Sequence, residues 1–421
     1  MSLQRRDFLR LSAGSSMLFG LSSFTKTKGR RSPLDDLMPM TDDVVPISTA
    51  ERITRIEKAK KLMAENKIEA IILDSGTALK YFTGIYWWPS ERTMVAILPA
   101  KGDVIYVSPA FEADRLRQLI TIGKDVQTWE EHESPYKQIA SALKGLGITG
   151  GNIGIEERLR FFVYDGIRKE APQVNFISAD PVTIPCRLIK SAAEIALMQK
   201  ANDITIGAYK VGVSMLREGM SPSDFAAITA EATTKLGGSG DIGVNFGKAS
   251  AYPHGSIEPQ HLKKGDMVLM DGGCTVQGYN SDISRTVVFG APPTKRQLDV
   301  WNVQHSSQAA GFAAAKLGDP CENVDIAARK VLTDAGFGPG YKVPGCPHRT
   351  GHGIGMDGHE WGNMVLGNKL PLQVGMCFSV EPTIAIYGEF GTRIEDCAYM
   401  TPEGPKWFSV PSPAIDKPFF A

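Results

Sequence analysis

Leu262-Lys-Lys-Gly265-Asp-Met-Val-Leu-Met-Asp271 and Leu372-Gln-Val-Gly375-Met-Cys-Phe-Ser-Val-Glu381 are the two stretches that decide the fold of this chain. In both, Leu precedes Gly by three residues and Gly precedes a carboxylate by six. A short apolar run after each Gly reads as a buried strand that ends on an acid. Similar elements surround each copy. A long helix from about Ser191 to Leu216 and a second behind the capping candidates Ser221 and Ser223 precede the first. Helices from about Thr294 to Leu317 and Glu322 to Ala335 precede the second, and strands then run to Met400. An internal repeat of this kind implies pseudo-symmetric halves facing one another across a cleft.

Each repeat carries a second acid. Asp271 and Asp282 bracket a segment whose midpoint falls at Val276 and Gln277, beside Gly278. Two strands folding back there form a hairpin with the acids nearly opposite, roughly 5 Å apart. Glu381 and Glu395 repeat the pattern about Gly388. Four carboxylates drawn together repel and demand a counter-charge. With one imidazole they suit two divalent ions bridged by shared oxygens, and hard oxygen ligands favour manganese-like metals. The candidate imidazole is His352, whose flanking Gly351 and Gly353 let the backbone approach a site closely. Taken singly, any of these residues reads equally well as a turn acid or a loop histidine.

From Thr49 to about Pro185 helix and strand alternate, the pattern of an α/β domain. Glu51 to Asn66 is an amphipathic helix; Ala70 to Leu73, Met94 to Leu98 and Asp103 to Val107 are strands. This region has no phosphate loop, dinucleotide fingerprint or ligand cluster, and His132 reads as a surface residue. His348 reads as structural, His261 and His305 as solvated. The 421 residues carry 46 basic and 46 acidic side chains with no long block of one sign, which excludes the footprint of a nucleic-acid binder. Six cysteines without a CxxC pair do not make a disulfide framework and read as free thiols.

At the N-terminus, Gln4-Arg5-Arg6-Asp7-Phe8-Leu9-Arg10 and a mildly apolar run from Leu11 to Phe24 resemble a twin-arginine export signal, assigned to residues 1–30. The run is short of the roughly 20 apolar residues of a spanning helix. No Ala-x-Ala cleavage site follows, which leaves an uncleaved membrane tether open. Residues 31–47, rich in Pro and Asp, read as a linker.

From Arg187-Leu-Ile-Lys190 to Glu395-Asp396 the chain resembles the pita-bread metallopeptidases of the aminopeptidase P and prolidase branch. Arg55 to Met63, Tyr81-Phe-Thr-Gly84 and Glu112-Ala-Asp-Arg115 resemble the creatinase-like domain that precedes it. The resemblance implies an α/β creatinase-like domain over 48–185 and an α+β pita-bread catalytic domain over 186–421. It implies Asp271, Asp282, His352, Glu381 and Glu395 as ligands of two divalent ions (manganese or cobalt, with zinc or iron also seen), and hydrolysis of the bond before proline by a metal-bridging hydroxide. Glu381 would be the base, and His254 and His359 would contact substrate. Arg393 reads as a partner of the carboxylates or as a surface strand arginine. The family also pairs through its N-terminal domain, for which Tyr86-Trp87-Trp88 is a candidate lid or else part of the core. Two departures, Trp361-Gly362-Asn363 after His359-Glu360 and Thr383-Ile384 after Glu381-Pro382, bear on substrate. A non-peptide substrate, or a binding protein of this fold without catalysis, are the alternatives.

Overall fold

The computed structural model describes residues 31–420; the twin-arginine segment, 1–30, lies outside them. The N-terminal domain runs α1 (Thr49–Glu65), β1 (Ile68–Asp74), α2 (Thr77–Thr83), β2 (Val95–Pro99), β3 (Ile105–Pro109), α3 (Ala113–Leu119), β4 (Asp125–Trp129), α4 (Pro135–Gly145), β5 (Asn152–Ile155), α5 (Phe161–Glu170), β6 (Asn175–Ser178) and α6 (Asp180–Leu188). Its strands form one mixed sheet in the order β4-β3-β2-β1-β5-β6. Ile71 and Leu73 of β1 pack into one core and Ala70 and Ile72 into another. Because successive side chains point to opposite faces, a strand covered on both sides is apolar, as residues 70–73 of β1 and the whole of β2 are.

The second domain follows with α7 (Ala192–Ser214), α8 (Pro222–Leu236), β7 (Ile242–Phe246), β8 (Met267–Gly272), β9 (Thr275–Val276), β10 (Tyr279–Asn280) and β11 (Ile283–Val288). Then come α9 (Lys295–Ala314), α10 (Glu322–Asp334), β12 (Gly351–Gly353), β13 (Glu360–Met364), β14 (Cys377–Val380), β15 (Thr383–Ile386), β16 (Phe390–Arg393), β17 (Asp396–Thr401) and β18 (Gly404–Trp407). Capping boxes start α7 at Ser191, α8 at Ser221 and α9 at Thr294.

The repeat reappears as matched hydrogen bonds. Gly219 N–H donates to Leu262 O and Leu262 N–H to Met220 O; in the other half Gly318 N–H donates to Leu372 O and Leu372 N–H to Asp319 O. Gly265 and Gly375 both turn at positive φ, +89° and +87°, and donate to Phe289 O and Met400 O respectively. Gly is needed there because an L side chain rarely adopts that φ.

Two boundaries differ from the sequence reading. The break expected at 185/186 falls inside α6, which packs on α1, so it lies after Leu188. Residues 31–47 are docked rather than free. Leu34 and Ile47 are buried in the second domain's core, Met40 N–H donates to Leu236 O, and Lys200 pairs with Asp43 at 2.8 Å. The apolar residues scattered among the Pro and Asp were the signal for docking. All six cysteines are free and buried.

Candidate active site

Two hairpins bring the acids together. In the first, β8 pairs with β11 so that Asp271 faces Ser284, which places Asp282 two residues past the direct opposite of Asp271. The offset arises because the chain turns at Gln277-Gly278, where both φ values are positive (52° and 91°), as a two-residue type I′ turn requires. In the second hairpin Val380 faces Asp396 and Thr383 faces Arg393, so Glu381 and Glu395 are directly opposed. Ser284 and Glu395 exchange both backbone hydrogen bonds, at 3.2 and 3.1 Å, and this bridge joins the halves.

His352, at the centre of β12, completes the cluster. Its Nε2 lies 3.1 Å from Glu381 Oε1, 3.7 Å from Asp282 Oδ2 and 3.9 Å from Glu395 Oε1. Ligand atoms of three overlapping sets (His352, Glu381, Glu395; Asp271, Asp282, Glu395; Asp282, His352, His359) each fall within 4.8 Å of one another. The His352 Nδ1 sits 3.0 Å from Gly353 O. A carbonyl can only accept, so that nitrogen carries a proton; Nε2 faces carboxylates that cannot donate, so it is protonated as well and donates to Glu381 Oε1, and it would offer a lone pair once a cation displaced that proton.

Arg393 is buried rather than a surface arginine. It pairs through Nη2 with Asp271 Oδ2, and its Nε donates to Ser284 Oγ at 2.8 Å. Ser284 Oγ in turn lies 2.8 Å from Asp271 Oδ1 and 2.7 Å from Glu395 Oε2. Its role escaped the sequence reading; the signal available was its position two residues from Asp282.

Electrostatically the cluster is short of positive charge. Burial, then the Asp271 carboxylate, pushes Asp282 up to about 7. Burial, then Asp282 and Glu381, pushes Glu395 well above the usual range. Burial opposes ionisation of Glu381 too, but the His352 hydrogen bond and charge outweigh it and hold that carboxyl down to about 2. Glu395 Oε1 is buried without a hydrogen-bond partner. An orphaned carboxylate oxygen, four acids against one guanidinium, and an imidazole nitrogen aimed among them fit divalent cations.

His359 rests against His352, ring centroids 3.9 Å apart, and its Nδ1 lies 3.2 Å from Arg349 Nη2. A guanidinium has no acceptor, so Nδ1 accepts and the ring proton sits on Nε2. Burial, then the neighbouring His352 and Arg349, hold His359 down to about 4, a neutral donor at pH 7. His254 is exposed, outside the three ligand sets, on the segment after the 3-10 turn Gly247–Ala251; it contributes to lowering His359. His348, expected to be structural, is held by Thr383 Oγ1 at 2.9 Å. His132 and His261 are exposed, whereas His305 is half-buried and stacked on Trp301, which corrects its reading as solvated.

An acid-lined cleft with one imidazole, built by a duplicated α+β unit behind an α/β domain, defines a metal-dependent hydrolase of the pita-bread type. Residues 196–402 match metallopeptidase family M24, and residues 55–189 match the creatinase/prolidase N-terminal domain. An Xaa-Pro dipeptidase of Lactobacillus delbrueckii is 32% identical over 360 residues, covering 84% of this chain and 96% of that protein. An uncharacterized peptidase of Schizosaccharomyces pombe is 33% identical over 384 residues, covering 85% and 81%. The crystal structure of a prolidase from Thermococcus sibiricus superposes with a TM-score of 0.78 at 28% identity, covering 85% of this chain and 97% of that one. The chain belongs to metallopeptidase family M24 and is a peptidase of the hydrolase class that uses divalent metal ions.

Proposed function

We propose that the protein is an exported Xaa-Pro dipeptidase that uses two divalent ions, manganese foremost, held by Asp271, Asp282, His352, Glu381 and Glu395. The observation that carries this reading is the convergence of four carboxylates and the His352 Nε2 around an orphaned oxygen. Ions bound there supply Lewis acidity, polarising a carbonyl and making a water acidic enough to act as nucleophile near neutral pH.

The chain's own groups do the rest. Glu381 Oε1 is engaged by His352 and Ser379, which leaves Oε2 to take the nucleophile's proton and return it to the leaving prolyl nitrogen. His359 donates from Nε2 to the carbonyl oxygen as charge develops there, with His254 at the rim of the cleft. Arg393, through Ser284, keeps Asp271 and Glu395 in place. Arg349 holds His359 and has no carboxylate partner among the described residues. Its guanidinium is therefore available to the terminal carboxylate of a dipeptide, which supports a dipeptidase.

Export through a twin-arginine route to the periplasm rests on Arg5 and Arg6 and the apolar run after them. An uncleaved leader would serve as a tether; among the described residues no helix is long and apolar enough to cross a membrane. Tyr86 and Trp88 are exposed while Trp87 packs inward, which supports pairing of two copies through this segment.

The test is a panel of Xaa-Pro dipeptides, Xaa-Pro tripeptides and Xaa-Ala controls on manganese-loaded protein, with Asp282→Ala alongside. Turnover confined to Xaa-Pro dipeptides and lost in the variant is the expected result. Equal turnover of Xaa-Ala, or full activity in Asp282→Ala, would overturn it.

A further inference from the structure

The tip of the aspartate hairpin does not stand on its own. β9 and β10 pair over two residues each, and a ribbon that short is marginal without outside support. Three sets of contacts supply the support, and two of them come from the N-terminal domain.

The first set centres on Tyr279, 1% exposed at the tip. Its hydroxyl donates to Glu194 Oε1 of α7 at 2.9 Å and accepts from Arg55 Nη2 of α1 at 3.1 Å. Arg55 also pairs with Glu51 at 2.7 Å and Glu194 at 3.3 Å, donates to Tyr81 O from Nη1, and lies 4.2 Å over the Tyr81 ring. The second set is steric. The Lys80 side chain of α2 lies over the turn, its Nζ 2.3 Å from where a Cβ on Gly278 would be.

The third set ties the tip to the loop behind His352. Asn280 N–H donates to Gly355 O at 2.8 Å, and its side-chain amide donates to Gly355 O and Met356 O at 3.1 and 2.9 Å. That loop is in turn gripped by the N-terminal domain, because Asp357 accepts from Thr77 Oγ1 at 2.7 Å and from Arg158 at 2.9 Å. The seven-residue α2 therefore touches both arms that carry ligands. Thr77 at its start reaches the His352 arm, and Lys80 reaches the Asp282 arm directly while Tyr81 does so only through Arg55.

From this we infer that Arg55 is a long-range positioning residue for the metal centre: through Tyr279 it fixes the ribbon from which Asp282 projects, relative to the His352 loop. Arg55 touches no ligand, substrate or reacting atom. Its deletion takes from the buried Glu194 and the half-buried Glu51 the guanidinium that pairs with both, and frees the tip to shift. A ligand arm that wanders costs metal affinity before it costs anything else. The inference rests on the reading of the five residues as metal ligands.

The experiment titrates Mn(II) into metal-free full-length protein by calorimetry, for wild type, Arg55→Met and Tyr279→Phe, with melting curves and kinetics alongside. The wild type is expected to bind two ions; binding none would refute the ligand reading itself. For Arg55→Met the expected loss is about 10-fold in affinity for one ion. Tyr279→Phe, which removes one hydroxyl and keeps the fold even if Arg55→Met does not, is expected to show a smaller loss of the same kind. Rates should recover at saturating Mn(II) with KM unchanged. Wild-type Mn(II) affinity in the folded variants, with only a lower melting temperature, would overturn the positioning role while leaving the ligand reading intact.

Discussion

Glu381 is the base of the proposed reaction, and His352 holds it ionised against the pull of burial. Glu381→Gln keeps the shape and removes both the proton acceptor and a charged ligand. Its kcat is expected to fall by about 10²–10⁴-fold, measured on an Xaa-Pro dipeptide, with an unchanged circular dichroism spectrum. A second titration lies away from the site. Burial pushes Glu156 up to about 7, above its ordinary range near 4.5, where it accepts from Arg158 N–H at 3.1 Å. The folded state thus binds a proton that the unfolded chain releases as pH passes about 4.5. The stability this represents is full below that pH and is lost as pH rises toward about 7. Glu156→Gln should therefore raise the melting temperature at pH 8 and leave it nearly unchanged at pH 4.5. An equal shift at both values would refute the assignment.

Among elements, the two hairpins bear the site, and their cores tolerate little. A Cβ on Gly273 would lie 1.9 Å from Ser281 O, in the short links that join the ribbon to β8 and β11. A clash with backbone cannot be relieved by turning a side chain. Gly273→Ala is expected to destabilise the chain by about 3 kcal/mol or more in a urea titration and to weaken Mn(II) binding together with it. Glu360, at the start of β13, sets an acid limit. Burial opposes its charge, but Lys190 at 2.8 Å and Arg187 at 2.6 Å hold the carboxyl down to about 2. A depressed folded value contributes stability that is present above about pH 4.5 and lost as pH falls toward 2. Glu360→Gln should lower the melting temperature at pH 7 and narrow the gap to wild type near pH 2.

For the whole molecule, metal and fold are linked. The repulsion among four acids is carried by the folded state alone, so ions that bind only there stabilise it by mass action. At 100 times the dissociation constant the gain is about 2.7 kcal/mol. Chelation should therefore lower the melting temperature by several degrees, and Mn(II) should restore it. Asp282→Ala should blunt the response. The N-terminal domain contributes to the same property from outside the cleft, since α1 and α2 grip the tip of one ligand arm and the loop of the other.

The amino-acid order alone determined the duplicated half, because a strand that must end on an acid needs the same Leu, Gly and apolar run each time. It also determined the cores of β1 and β2, since stretches covered on both faces are apolar, and the family motif marked four acids and one imidazole in order. Only the tertiary structure decided how they meet. The type I′ turn set the aspartate register two residues from direct opposition, and backbone contact between Ser284 and Glu395 joined halves 111 residues apart. It also turned a Pro-rich stretch into a docked strap and made Arg349 and Arg55 neighbours of His359 and Tyr279. Those facts depend on which surfaces pack, and packing between residues distant in the chain leaves no periodic trace in the sequence.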